Sequence, residues 1–571
     1  MYMAVKKPVK KRYKKKKRVK LRALIKVLAV IFACLILAAC AVFFIPKLIN
    51  GFSGKIRYIA GTDSSVDLYY YDEYDDHLLI SSETIVRGSE VTMTKKTYEQ
   101  NGQTYRLIKY GGEEYYIVEG HLAESLDELV LETEKWVRTG VTVYTDAESA
   151  QIESFIAKGS LVNITGYDEV MEDGAVNMYE IEYEGVTGWV YAKYLTGSEE
   201  EALAQYEAVY ANHEGRAYSY ELYGGDVSDL DWYPYEKASF EDNELLAEDA
   251  SVIYLNMAAL LDIDSYLELA AENGVNGVVV DIKDGCLVTS FDTAAALSPT
   301  SNENAYMDEE TFAEAMAKIS EAGLYIIARI VTFSDTYYAE DNPDDCIETS
   351  VTTTAWPSAY SRNVWYYNVS LALETAQKYG VNEIMFDYVR FPDSSYSMSL
   401  DEDTDFKNSY DETMAQALQN FLFYACDVLH RSEVYVSVCV EAESVNKYVL
   451  AYGQYWPAFS NIADVICPWA LVDSIGLADS YWSDEYTTLY NWAERALARQ
   501  SEVETPAVCR AWITGYDVPY WSPYIECTSD YVENMIRGLY DRGIEGGFII
   551  YNEEANISAY SQIAPALSVS Y

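Results

Sequence analysis

The chain has 571 residues, half of them hydrophobic, and a formal net charge of −50. That length implies several domains, and the apolar share allows a sizeable core. Residues 1 to 26 hold 13 of the 41 Lys and Arg and no acid, leaving 28 bases against 91 acids in the rest; so acidic a body repels nucleic acid and anionic lipid at long range and argues against a nucleic-acid partner.

In chain order, the basic tail (1–26) precedes an uncharged apolar run, Val27 to Ile45. Nineteen residues at about 1.5 Å each span roughly 28 Å, enough for a bilayer core. Positive charge stays cytoplasmic, so 27–45 is expected to be a transmembrane signal anchor with the bulk of the chain extracellular. A rival reading is a lipoprotein: "LAAC" at Leu37 to Cys40 looks like a lipobox, with Cys40 lipidated. The apolar run continues five residues past Cys40, which favours the uncleaved anchor. Both readings tether the body to the membrane.

Nine cysteines show no metal-type spacing. Cys439, Cys467 and Cys509 fall in expected strands as small core residues. The four histidines, His77, His121, His213 and His430, lie away from the expected catalytic strand ends. This disfavours zinc and Ser-His-Asp chemistry, and no metal or other cofactor is expected. The acidic stretch "DEDTD" (401–405) lacks EF-hand spacing and reads as a solvated loop.

Behind the anchor, "YGGEEYYIVEGHL" (110–122) and "YEGVTGWVYAKYL" (183–195) align without a gap. Each has a Gly turn, an aromatic-aliphatic strand and a closing Leu. They resemble bacterial SH3-like modules, at 55–124 and 137–197. The resemblance implies small β-barrels that bind cell-wall peptide or act as spacers. Residues 198–250, acidic and rich in Tyr, read as a linker packed on the C-terminal domain.

From 251 to 571, eight short apolar runs alternate with segments of helical period: 251–257, 277–284, 325–333, 383–391, 434–442, 463–471, 506–514 and 546–552. Near-continuous apolar runs indicate parallel strands covered on both faces. Eight β-α repeats predict an α/β fold of the (β/α)8 TIM-barrel class. Active sites of such barrels sit at the C-terminal strand ends. Polar and aromatic residues recur there: Asn256 on the first strand, Asp281, Lys283 and Asp284 on the second, Arg329 on the third, and Asp387 and Arg390 on the fourth. Glu441 ends the fifth, Trp469 the sixth, Arg510 and Trp512 lie in the seventh, and Tyr551 and Asn552 end the eighth. Any one of these could be a structural ion pair; the set reads as a ligand pocket. Trp and Tyr stack on sugar faces, Asp, Asn and Arg bond hydroxyls, and glycoside hydrolysis needs two carboxyl groups, one kept protonated by burial.

The stretches "GVVVDIKD", "GLYIIARIVTFSD", "VWYYNVSLALETAQKYGVNEIMFDYVRFP", "CPWA" and "CRAWIT" resemble the bacterial putative glycosyl hydrolase family of TIM barrels. The resemblance implies that Asp387 is an essential carboxylate and that Asp281, Lys283, Arg329, Arg390, Arg510 and Trp512 line the site. The chain departs from the family where Cys439 takes the place of a fifth-strand Asp. It departs again after Pro468, and at Thr514 and Gly515. Glu441, two residues beyond Cys439, shares its strand face and is the expected substitute. Three functions fit these residues. The first is a membrane-anchored extracellular glycoside hydrolase acting on a cell-wall or environmental polysaccharide, peptidoglycan included. Here Asp387 and Glu441 form the catalytic pair, Asp281 is in reserve, and Asn256, Lys283, Arg329, Arg390, Trp469, Arg510, Trp512, Tyr551 and Asn552 bind substrate. The second is a catalytically inactive glycan-binding barrel, and the third an envelope scaffold.

Overall fold

In a computed structural model, the structure describes residues 54–204, 227, 230–478, 484–519 and 524–569. The anchor expected at 27–45, the basic tail and Cys40 lie outside the described residues. Among the described residues, no helix is long and apolar enough to cross a membrane. Two compact units are present, residues up to 133 with 166–179, and 134–165 with 180 onward.

The first unit is built on a seven-stranded sheet whose strands lie between Lys55 and Ala123. Alternation along its strands gathers Ile59, Val66, Leu68, Ile85, Val91, Ile108 and Ile117 into one core. A second seven-stranded sheet runs from Glu134 to Thr196.

The eight apolar runs form eight parallel strands: β1 (Ser251–Leu255), β2 (Gly277–Asp284), β3 (Tyr325–Val331), β4 (Glu383–Asp387), β5 (Tyr435–Glu441), β6 (Val465–Trp469), β7 (Ala511–Thr514) and β8 (Phe548–Tyr551). Each pairs with the next, and β1 pairs with both β2 and β8, so the sheet closes. A helix follows each strand: α1 (Ile263–Asn273), α2 (Glu309–Glu321), α3 (Arg362–Tyr379), α4 (Met414–His430), α5 (Trp456–Ser460), α6 (Glu485–Gln500), α7 (Ser529–Arg542) and α8 (Ile557–Leu567). Sequence signals mark their ends. Asp308 accepts a bond from the Thr311 N–H at the start of α2, Thr413 and Gln416 form a capping box on α4, and Gly380 closes α3 at φ +62°.

Within this second unit, segments 134–165 and 180–196 of that sheet are docked on α4. The Tyr194 hydroxyl donates to Asp427 at 2.8 Å, Lys193 pairs with the same carboxylate at 2.6 Å, and Tyr144 stacks on Tyr424. Residues 230–249 run along the N-terminal end of the barrel. Lys237 Nζ donates to the carbonyls of Ser460, Asn461 and Ala463, and Leu245 and Leu246 pack against the barrel core.

Inward-facing side chains repeat every second residue and stack in layers. Val252, Val279, Ile327, Met385, Cys439, Cys467, Trp512 and Ile549 belong to one continuous core. The end nearest the strand N-termini is closed by a buried ion pair. Arg510 Nη1 lies 2.9 Å from Glu383, and Tyr325 donates to the same carboxylate. This overturns the expected place of Arg510 at the substrate rim. It faces inward like Trp512, but two residues earlier, one step of roughly 6.6 Å deeper in the barrel. Both it and Glu383 are fully buried.

Candidate active site

At the opposite end, the last inward residues of the strands converge on Arg329. Its Nε and Nη2 donate to Asp387 Oδ2 at 2.9 and 2.7 Å, and its Nη1 donates to Asp281 at 2.7 Å and Asp284 at 2.9 Å. Burial works against the cation, but the three carboxylates raise its pKa well above the ordinary value. Burial likewise pushes Asp281 up, with Arg329 opposing. The Tyr254 hydroxyl, raised by burial and by Asp281, donates to Asp281.

Asp387 is 2 % exposed. Besides Arg329 it accepts the Tyr388 backbone N–H at 2.8 Å and the Trp469 indole at 3.3 Å, both on Oδ1. Tyr388 sits at φ +53°, in the left-handed region that a bulky residue rarely adopts. This turn ends β4, and the chain continues to Arg390. Arg390 Nη1 donates to Asp393 at 2.7 Å, and its Nε lies 3.4 Å from Glu441.

Glu441 shares the inward face of β5 with Cys439. The β4–β5 ladder pairs Phe386 with Val438, so Asp387 is level with Cys439 and Glu441 lies one layer nearer the mouth. Burial lifts its carboxyl to about 7; Arg390 pulls the other way and Asp387 adds to the rise.

The wall formed by the ends of β6, β7 and β8 is aromatic. Trp469 and Trp512 stack at 4.4 Å with an 11° interplanar angle, and Tyr551 meets Trp469 edge-on at 4.9 Å. Trp469 and Tyr551 are half-buried, with surface left for a ligand. Trp512 is fully buried and backs them, so it does not line the mouth as expected. A cavity of about 600 Å³ opens beside Tyr551, bounded by Tyr516, Asp517, Asn552 and Glu553.

Thus Asp281, Arg329, Asp387, Arg390, Glu441, Trp469 and Tyr551 come together at the mouth. Lys283 does not. A register shift between Asp281 and Lys283 turns its side chain outward, where Nζ donates to Asp335 and Asn368 at 2.7 Å each. Its ammonium is lowered by burial, with Asp335 opposing. Asn256 and Asn552 sit at the rim, but their amides hold backbone: Asn256 bonds the Glu553 carbonyl and the Ala259 N–H, and Asn552 the Gly515 carbonyl and the Asn556 N–H. Sequence reasoning missed Tyr254 and Gln454. Tyr254 shares the inward parity of Val252 and could have been found by counting. Gln454 lies in a loop with no periodic signal. Among the described residues, no group of three or more His, Cys, Asp or Glu is arranged to hold a metal ion.

Among solved structures, the chain is similar to a hypothetical protein from Ruminiclostridium thermocellum, at 22 % identity over 33 % of this chain and 96 % of that one, TM-score 0.27. It is similar to the PgaB (BpsB) glycoside hydrolase domain from Bordetella bronchiseptica, at 12 % identity over 56 % of this chain and 97 % of that one, TM-score 0.41. It is also similar to the spore cortex-lytic enzyme SleL of Bacillus cereus, at 10 % identity over 56 % of this chain and 73 % of that one, TM-score 0.33. Likenesses this distant carry no argument about activity. No curated protein matches the chain. The family model described as "Putative glycosyl hydrolase domain" matches residues 252–557, more than half of the chain and the whole span from β1 to the start of α8. The chain belongs to that family.

Proposed function

We propose that the barrel hydrolyses glycosidic bonds of a cell-wall or environmental polysaccharide, on the outer side of a membrane to which segment 27–45 anchors it. The observation that carries this reading is Glu441: a carboxyl lifted to about 7 at the mouth, one layer above the buried carboxylate Asp387. Two carboxyl groups in unlike environments are what acid-assisted glycoside cleavage uses. Glu441 donates its proton to the leaving-group oxygen as the C1–O bond breaks. Asp387, oriented by Arg329 and Trp469, faces the positive charge that develops on the sugar ring. One water is consumed: its oxygen ends on C1 and its proton restores Glu441. Trp469 and Tyr551 offer ring faces for stacking.

One feature of Asp387 favours glycan binding without turnover. Both its oxygens already accept protein donors. Reducing-end release by the purified barrel across a panel of cell-wall and plant polysaccharides separates the two readings; binding to a glycan with no release supports the inactive barrel.

Glu441 as general acid implies a pH dependence. The acid must be protonated, so kcat/KM should fall as pH rises through about 7. Glu441→Gln should remove that limb and lower kcat by about 10²–10⁴-fold. An unchanged limb in the variant would reassign the acid.

The membrane placement is checked on intact cells. External protease is expected to shave the acidic body, while an epitope in residues 1–26 stays protected. Full protection of both would place the barrel inside.

A further inference from the structure

Past Phe386 and Val438 the hydrogen-bonded ladder between β4 and β5 stops, because the left-handed turn at Tyr388 carries β4 away. On its other side β5 stays paired with β6 as far as Glu441 and Trp469. The two strand ends that carry Asp387 and Glu441 therefore lose their direct link at the depth where chemistry would occur. The side chain of Gln454, from the loop between β5 and α5, fills the gap. Its Oε1 accepts the Glu441 backbone N–H at 2.9 Å. Its Nε2 reaches the carbonyl of Val389 at 3.3 Å and that of Cys439 at 3.4 Å.

The loop that presents Gln454 is itself fixed. Leu450 N–H donates to the Gln454 carbonyl at 3.0 Å, and Phe391 N–H to the Tyr452 carbonyl at 2.9 Å. Gly453 takes φ +90° and packs so closely on α4 that a Cβ there would come within 2.9 Å of the Met414 Cβ. Gln454 is 2 % exposed, so its amide is not competing with water. A buried amide that joins one strand's carbonyl to the next strand's N–H and carbonyl does the work of the missing ladder.

We propose that Gln454 is a positioning residue, bridging the ends of β4 and β5 so that the Glu441 carboxyl is held at a set place relative to Asp387. This rests on the reading of those two residues as the catalytic pair. The bridge explains how a carboxyl at a strand end, next to a turn, keeps its place beside Arg390. Without it Glu441 is free to swing away from Arg390 and further into solvent.

The test uses the full chain with ¹³C-labelled Glu carboxyls, following the Glu441 titration by NMR, the signal assigned with Glu441→Gln. In Gln454→Met, of similar size but with no amide, the midpoint is expected to fall by at least about one pH unit toward the ordinary carboxylate range. Gln454→Glu, whose carboxyl stays protonated between two carbonyls and keeps an acceptor and a donor, should restore most of it. Where a hydrolysed substrate is in hand, Gln454→Met should lower kcat about 10- to 100-fold with KM within about twofold. If Gln454→Met does not fold, Gln454→Asn, too short to span both strands, takes its place with the same expected fall. A folded variant whose Glu441 titration is unmoved overturns the proposal, whatever the activity. If the native chain releases no reducing ends from any glycan, the hydrolase reading fails on that result alone, and the titration still decides the role of Gln454.

Discussion

Asp387→Asn is expected to cut reducing-end release at least about a hundredfold while the barrel stays folded. The loss of activity and the survival of the fold have separate causes. Activity falls because an amide cannot offset positive charge developing on the sugar ring. The fold survives because Arg329 keeps two other carboxylates, Asp281 at 2.7 Å and Asp284 at 2.9 Å. The asparagine carbonyl oxygen can still accept from the Trp469 indole and the Tyr388 N–H, at the loss of the two Arg329 bonds to Oδ2, where an amide NH2 cannot accept. Reducing-sugar assays on native and variant protein, with thermal melts of each, check both effects. Release near the native rate would remove Asp387 from the chemistry; a variant that binds glycan as well as the native chain, where neither releases reducing ends, would make the barrel a binding module.

Arg329→Met should do the opposite, striking the fold first. Breaking a buried ion pair by removing one partner costs about 3–5 kcal/mol, because the remaining charge is left uncompensated. Here one guanidinium serves three carboxylates, and Asp281 and Asp387 are nearly inaccessible to water. The loss is a large share of a domain's total stability of about 5–15 kcal/mol. The pH dependence has a definite sign. Asp281 already lies above its ordinary value of 3.8 because of burial, with Arg329 the main opposing influence. A carboxyl raised in the native state holds its proton longer when folded, so stability falls as pH rises from the unfolded value through the native one. Without Arg329 that native value rises further. The deficit of the variant should therefore be smallest near about pH 4 and widen toward neutrality. Denaturation midpoints across this range check it; a deficit independent of pH would mean that lost packing, not stranded charge, is the cause.

All eight barrel strands were legible in the sequence, because strands buried on both faces leave unbroken apolar runs that helices between them do not imitate. The mouth was legible in part for a related reason. Side-chain direction alternates with period two, so Asp387, Glu441, Arg329 and Trp469 could be assigned to one end of the barrel from their places late in each run. Glu441 in particular is reached by counting two residues on from Cys439.

What the tertiary structure decided was depth, local register and solvation. Arg510 and Trp512 share a face with the mouth residues, yet one closes the far end with Glu383 and the other is sealed behind Trp469. How far up the barrel an inward residue stands depends on the stagger between neighbouring strands, which involves partners distant in the chain. Lys283 was misplaced because one irregular residue after Asp281 reverses every later side chain, and no composition marks that bulge. The amide of Gln454 owes its place to a loop packed on α4, and the raised carboxyl of Glu441 to the burial that the assembled mouth creates. Period and polarity are local properties of a chain and survive in its sequence. Desolvation and cross-strand bonding exist only once separate segments have met.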